Sequence, residues 1–216
     1  MSEAQPQAVT IPPLGLNGDL TVPANARGLV IFAHGSGSSR FSPRNREVAE
    51  ALVDAGLATL LMDLLSDDEA ADRANVFDIP LLAARLADAV EWASTQERLR
   101  GLAVGLFGAS TGAAAALLAA AAAPERVSAV VSRGGRPDLA SPRLGKVRAP
   151  TLLIVGGDDE PVLGWNREAL AELGGEGRLE VIPGATHLFE EPGALERVTA
   201  LARAWFLQTL ARPSAA

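Results

Sequence analysis

The sequence predicts an α/β fold: a mostly parallel sheet of about eight strands with helices on both faces. Three observations carry this. Short β-branched apolar runs recur along the chain, they alternate with longer Ala- and Leu-rich stretches of helical period, and the runs are continuously apolar rather than alternating. Continuous runs suit strands covered on both faces, whereas a half-exposed antiparallel strand would place a polar residue at every second position. The 216 residues suffice for one domain, residues 1–216, burying roughly 70% of the surface its unfolded chain exposes.

In chain order, residues 8–22 read as an N-terminal antiparallel hairpin at one edge of the sheet, with Asn17-Gly18 as its turn, because that pair tolerates positive φ. The central strands are expected at 28–33, 58–63, 102–107, 128–132, 151–155 and 179–182, and helices at 43–55, 79–96, 111–123, 166–173 and 192–211. Asp78 before Ile79-Pro80 is a helix N-cap signal, and Gly56 closes the first helix. Asp67, Asp68, Glu69 and Asp72 fall between a strand and a helix and read as a solvated connection rather than a metal site.

Composition narrows function. With 19 Lys and Arg against 26 Asp and Glu, the net charge of -7 repels a phosphate backbone, so no nucleic-acid partner is expected. Cysteine is absent, which removes disulfides, thiolate metal sites and cysteine nucleophiles and fits a reducing, cytoplasmic location. With His34 and His187 the only histidines, a His-rich metal site is excluded and no metal is expected. The first thirteen residues show no secretory signal, and the run 112–124 falls short of the ~20 residues a membrane span requires, so no membrane partner is expected.

The sharpest motif is Gly108-Ala109-Ser110-Thr111-Gly112, lying between an apolar strand and an Ala-rich helix. A tight strand-to-helix turn lifts the serine hydroxyl above the sheet edge at a helix N-terminus, and the flanking glycines leave room for neighbouring backbone. Ser110 is therefore the expected nucleophile. Read instead as a dinucleotide loop, Gly105, Gly108 and Gly112 would need Arg133 as a 2′-phosphate contact. The motif follows a central strand rather than opening the domain, and tyrosine, the usual acid of short-chain dehydrogenases, is absent.

Serine needs an imidazole base held by a carboxylate, both on loops after later strands. The strand at 151–155 runs into Gly156-Gly157-Asp158-Asp159, and the strand at 179–182 into Pro183-Gly184-Ala185-Thr186-His187. Asp159 and His187 are the choices, giving the chain order serine, acid, histidine. An oxyanion hole requires two N–H donors, one from Thr111 and one from the loop after an early strand, where His34-Gly35-Ser36-Gly37 points to Ser36. His34 is read as bracing that loop.

These motifs resemble the α/β-hydrolase superfamily, specifically its dienelactone-hydrolase-like branch, over about residues 20–210. The resemblance implies an eight-stranded, mostly parallel sheet without a separate cap domain, a Ser-His-Asp triad, esterase-type acyl transfer and no cofactor. Dienelactone hydrolases proper use a cysteine nucleophile where this chain has Ser110, so a carboxylic ester, thioester or lactone is the expected small-molecule substrate rather than dienelactone itself.

Arg40, Arg44 and Arg46 follow the oxyanion loop, and Arg133 and Arg136 follow the strand at 128–132. They could hold a substrate carboxylate or phosphate, or pair with neighbouring acids. Arg40, Arg133 and Trp165 are the substrate-binding candidates. The expected protein is a monomeric or weakly dimeric serine hydrolase. The alternatives are a non-catalytic ligand-binding receptor or scaffold on the same fold, and an acyltransferase.

Overall fold

One eight-stranded sheet organises the chain, with strand order β1-β2-β4-β3-β5-β6-β7-β8. The computed structural model describes residues 4–210. Strands β1 (Gln7–Ile11) and β2 (Leu16–Thr21) form the antiparallel edge. From β4 (Ala58–Met62) through β3 (Leu29–Ala33), β5 (Val104–Ala109), β6 (Ala129–Arg133), β7 (Thr151–Gly156) and β8 (Gly177–Ile182), all neighbours are parallel. The five strands from β3 to β7 are buried along nearly their whole length, as their uninterrupted apolar runs require.

Two apolar layers cover the sheet. On one face Leu106 and Val130 pack with Leu82, Leu86 and Leu117 of α4 (Ile79–Thr95) and α5 (Thr111–Ala122). On the other, Phe32, Phe107 and Val131 pack with Val48 and Leu52 of α1 (Pro43–Asp54) and with Val198 and Phe206 of α7 (Ala194–Thr209). Helix α5 is apolar on every side and almost wholly buried, because α4, β5, β6 and a 3₁₀ turn at Pro137–Ala140 surround it.

The structure alters three local expectations. The hairpin turn lies at residues 12–15, while Asn17 and Gly18 sit within β2 opposite Thr10 and Val9. Pro12 and Pro13 cannot donate to a ladder, so pairing stops at Ile11, and Gly15 supplies the positive φ of 74°. A side chain at Gly18 would press on Leu60, its Cβ only 3.0 Å from the Leu60 side chain. Helix α6 spans Glu160–Glu172, beginning six residues before the expected start, because Pro161 occupies its first turn, where no N–H is needed. The acidic connection forms two one-turn helices, α2 (Asp67–Ala70) and α3 (Arg73–Val76). Ser66 and Glu69 make a reciprocal capping box for α2, and Asp72 caps α3, so these acids serve helix ends. The expected end of the last helix at Ala211 lies outside the described residues.

Candidate active site

Parallel strands deliver their loops to one edge of the sheet, and the β5, β7 and β8 loops meet there. Ser110 sits between β5 and α5 at φ 51°, ψ -119°, a backbone conformation rarely adopted outside glycine. Two hydrogen bonds hold it: Ser110 N–H donates to the Arg133 carbonyl at 3.1 Å, and Arg136 N–H donates to the Ser110 carbonyl at 3.2 Å. The flanking glycines are sterically required, since a Cβ at Gly108 would lie 2.3 Å from Ala113 Cα and one at Gly112 2.3 Å from the Ala33 carbonyl oxygen.

The acid and histidine loops are tied to each other. Gly157 N–H donates to Ile182 O at 2.8 Å and Asp158 N–H to Ala185 O at 3.0 Å. Gly156 permits this approach, because a Cβ there would meet Ala185 O at 2.2 Å. Asp158 is exposed, while Asp159, at the N-cap of α6, turns inward. Its Oδ2 accepts the Nδ1–H of His187 at 2.7 Å, and His187 Nε2 accepts the Ser110 hydroxyl at 3.2 Å. That hydrogen-bonding pattern fixes the tautomer with Nε2 free as a base. Ser110, Asp159 and His187, far apart in sequence, are thus in one chain of contacts. Phe189, at φ 56° and buried, anchors the loop that presents His187.

The loop after β3, His34-Gly35-Ser36-Gly37, passes against the serine, where a Cβ at Gly35 would lie 3.2 Å from Ser110 Cβ. His34 is fixed at both nitrogens: Nδ1–H donates to Gly35 O at 3.0 Å and Nε2 accepts Leu64 N–H at 3.3 Å. This arrangement requires neutral imidazole, and burial holds the His34 pKa below its ordinary value against the opposing Gly35 hydrogen bond and the Asp63 charge. Ser36 N–H donates to the Thr111 hydroxyl at 2.9 Å. Beside them opens a cavity of about 380 Å³ walled by residues 34–41, Asp63, Leu64, Leu65, Val76, Leu82 and Thr111. Helices α2 and α3 contribute its far side, a wall that the sequence reading left as an open connection. A larger recess of about 590 Å³, between the N-terminal hairpin and α1, contains none of these site residues.

Four of the five arginines near this edge are paired with acids. Arg40 bonds Asp63 through guanidinium and backbone N–H and lies 3.9 Å from Asp19, Arg44 meets Glu190 at 3.2 Å, Arg46 meets Asp19 at 3.5 Å, and Arg136 grips Asp138 at 2.8 and 2.9 Å. Trp165 lies under Arg136, 4.1 Å from guanidinium carbon to ring centre. Arg133 has no carboxylate partner among the described residues. It is buried on the α1 side against Asn45, whose Oδ1 is 3.5 Å away, and it is absent from the cavity wall. Its pKa is lowered to about 10 by burial and by Arg44. The sequence missed the backbone roles of Arg133, Arg136 and Gly156. Only the glycine-rich character of 134–135 and 156–157 hinted at close packing there.

A mostly parallel sheet of this order, carrying a serine on the turn after β5 and an acid and a histidine after β7 and β8, defines an α/β-hydrolase. The sequence profile of the dienelactone hydrolase family matches residues 16–210, and the chain belongs to that family. The crystal structure of a dienelactone hydrolase from Anabaena variabilis is 55% identical, with a TM-score of 0.94 over 97% of this chain and all of that one. Est1E from Butyrivibrio proteoclasticus shares the fold at 20% identity, with a TM-score of 0.81 over 95% of this chain and 99% of that one. A Mycobacterium tuberculosis protein named "Putative phosphoribosyl transferase" is 61% identical over 201 residues, 93% of this chain. The chain spans 45% of the length of the curated relatives it matches. Among the described residues, no helix is long and apolar enough to cross a membrane, and no group of three or more His, Cys, Asp or Glu is placed to hold a metal ion.

Proposed function

We propose that this hydrolase cleaves small, uncharged carboxylic esters, thioesters or lactones through an acyl-Ser110 intermediate, without a cofactor. The observation that carries the reading is the run of contacts from Asp159 through His187 to Ser110. His187 Nε2 takes the Ser110 proton as Oγ attacks the carbonyl carbon, while Asp159 holds the ring and stabilises the imidazolium. Thr111 N–H, together with the Ser36 side of the oxyanion loop, receives the oxyanion. His187 then protonates the leaving group, and a water activated by His187 releases the acid.

The cavity wall supports a substrate without negative charge. Leu64, Leu65, Val76 and Leu82 line it, its Arg40 is matched by Asp63, and Asp67 adds a carboxylate that would repel an anion. Trp165 stands outside that wall, stacked with Arg136. The transferase name borne by the Mycobacterium relatives belongs to proteins more than twice as long as the matched segment. In our reading, this segment supplies acyl chemistry at a serine.

The test is labelling of Ser110 by a fluorophosphonate, combined with hydrolysis of p-nitrophenyl acetate that disappears in Ser110→Ala. Turnover surviving in that variant removes the serine mechanism. No labelling and no turnover in the parent chain would favour a ligand-binding role. Ester formation with an added alcohol would favour an acyltransferase.

A further inference from the structure

Thr111 is placed to do more than lend its backbone. Its hydroxyl oxygen accepts the Ser36 N–H at 2.9 Å, so the loop amide expected to face the oxyanion is directed at a side chain instead. The hydroxyl's own hydrogen meets no acceptor among the described residues. A helical threonine usually returns that hydrogen to the carbonyl four residues back. Here that residue is Phe107, which belongs to β5 and not to the helix. Thr111 is only 4% exposed, yet it forms part of the cavity wall beside the nucleophile. An unspent donor, polarised by the amide behind it, therefore borders the space where the substrate carbonyl sits.

We propose that the Thr111 hydroxyl is itself an oxyanion donor: the hole is made of Thr111 N–H and Thr111 Oγ–H, with Ser36 N–H acting through the hydroxyl rather than on the substrate. The inference rests on Ser110 being the acylated nucleophile. No proton is transferred from Thr111. The hydroxyl accepts from Ser36 and donates to the oxygen that gains charge when Ser110 Oγ bonds to the carbonyl carbon. As a tetrahedral centre forms, the contact shortens and strengthens, so it favours the transition state over the bound ester.

The rival arrangement has Ser36 N–H leave Thr111 and bond the oxyanion directly, and the two differ in sign. Thr111→Val keeps the shape and removes the hydroxyl. If Thr111 donates, kcat for p-nitrophenyl acetate falls on the order of 10²-fold. KM stays near that of the parent, the affinity for a trifluoromethyl ketone falls in parallel with kcat, and Thr111→Ser recovers most of both. If Thr111 merely competes for the Ser36 amide, Thr111→Val frees that amide and kcat is unchanged or higher, which overturns the proposal. Thr111→Ala gives the same readout in a smaller side chain should valine disturb the fold. Fluorophosphonate labelling separates the two levels: a parent chain that does not label overturns the hydrolase reading and this proposal with it, whereas a labelled parent and a fully active Thr111→Val overturn this proposal alone.

Discussion

Asp159 Oδ2 accepts the Nδ1–H of His187 across 2.7 Å from the first boundary of α6, where the preceding glycine turn packs against the histidine loop. Neighbouring Asp158 is exposed and takes no part. Asp159→Asn keeps the shape but favours the tautomer that turns an N–H toward Ser110, and kcat is expected to fall on the order of 10⁴-fold. Asp158→Asn should leave the rate near that of the parent. Steady-state kinetics on one ester decides this, and equal losses in the two variants would refute the assignment.

The turn that holds Ser110 depends on backbone passing where a side chain would stand. A Cβ at Gly112 would lie 2.3 Å from Ala33 O and 2.4 Å from His34 O, both main-chain atoms of β3 and its loop. Gly112→Ala should cost about 3 kcal/mol or more, because neither neighbour can yield without moving the sheet. Gly37 is the control: its φ is 71° but nothing lies within 4 Å, so Gly37→Ala should cost only ~1 to 2 kcal/mol for the left-handed backbone. Denaturant midpoints measure both. A mild Gly112→Ala would mean that the turn is looser than its contacts imply.

His34 makes stability depend on pH. Burial lowers its folded pKa below 6.5, so below that pH the unfolded chain binds more protons than the folded one, and stability is lost as pH falls. Charging His34 also turns its Nε2 from an acceptor into a donor facing Leu64 N–H. Denaturation of the parent at pH 7.5 and pH 5 should show a larger loss than the same pair of experiments on His34→Gln. Every other group is common to the two proteins and cancels in the difference. Identical slopes would show that His34 is not held neutral.

The fold was legible because its signal is local. Each buried strand announces itself through an unbroken apolar run, and each covering helix through its period. Ser110 and His187 were legible because their surroundings were sequence-local too, a small-residue turn after a strand and a histidine on a loop. What escaped depends on contacts between distant segments. Asn17-Gly18 is a strong turn signal on its own, yet Pro12 and Pro13 ended the ladder first. The expected start of α6 at residue 166 falls six residues late, because Pro161 is accommodated in its opening turn and Gly164 stands in open space. The bond from Ser36 to Thr111 joins residues 75 apart, and no spacing rule announces it.

Arg133 offers the last test, because its charge is buried with no counter-charge among the described residues. Burial, and then the neighbouring Arg44 charge, lowers its pKa to about 10, so the folded surroundings disfavour the cation. The sign is fixed by the linkage: at neutral pH both folded and unfolded chains carry the proton, so the penalty is fully present, and it is relieved only as pH rises past about 10. Asn45 Oδ1 at 3.5 Å and the Phe189 ring at 5.9 Å are weak compensation. Arg133→Met retains much of the apolar bulk and removes the charge, and the denaturant midpoint should rise. The Ser110 N–H bond to the residue 133 carbonyl is main-chain and survives the change. Because Arg133 is absent from the cavity wall, KM for an anionic ester and for a neutral ester of equal length should respond alike. A selective rise in KM for the anionic ester would instead make Arg133 the substrate-binding group that its position at the end of β6 suggested, its charge awaiting a ligand rather than burdening the fold.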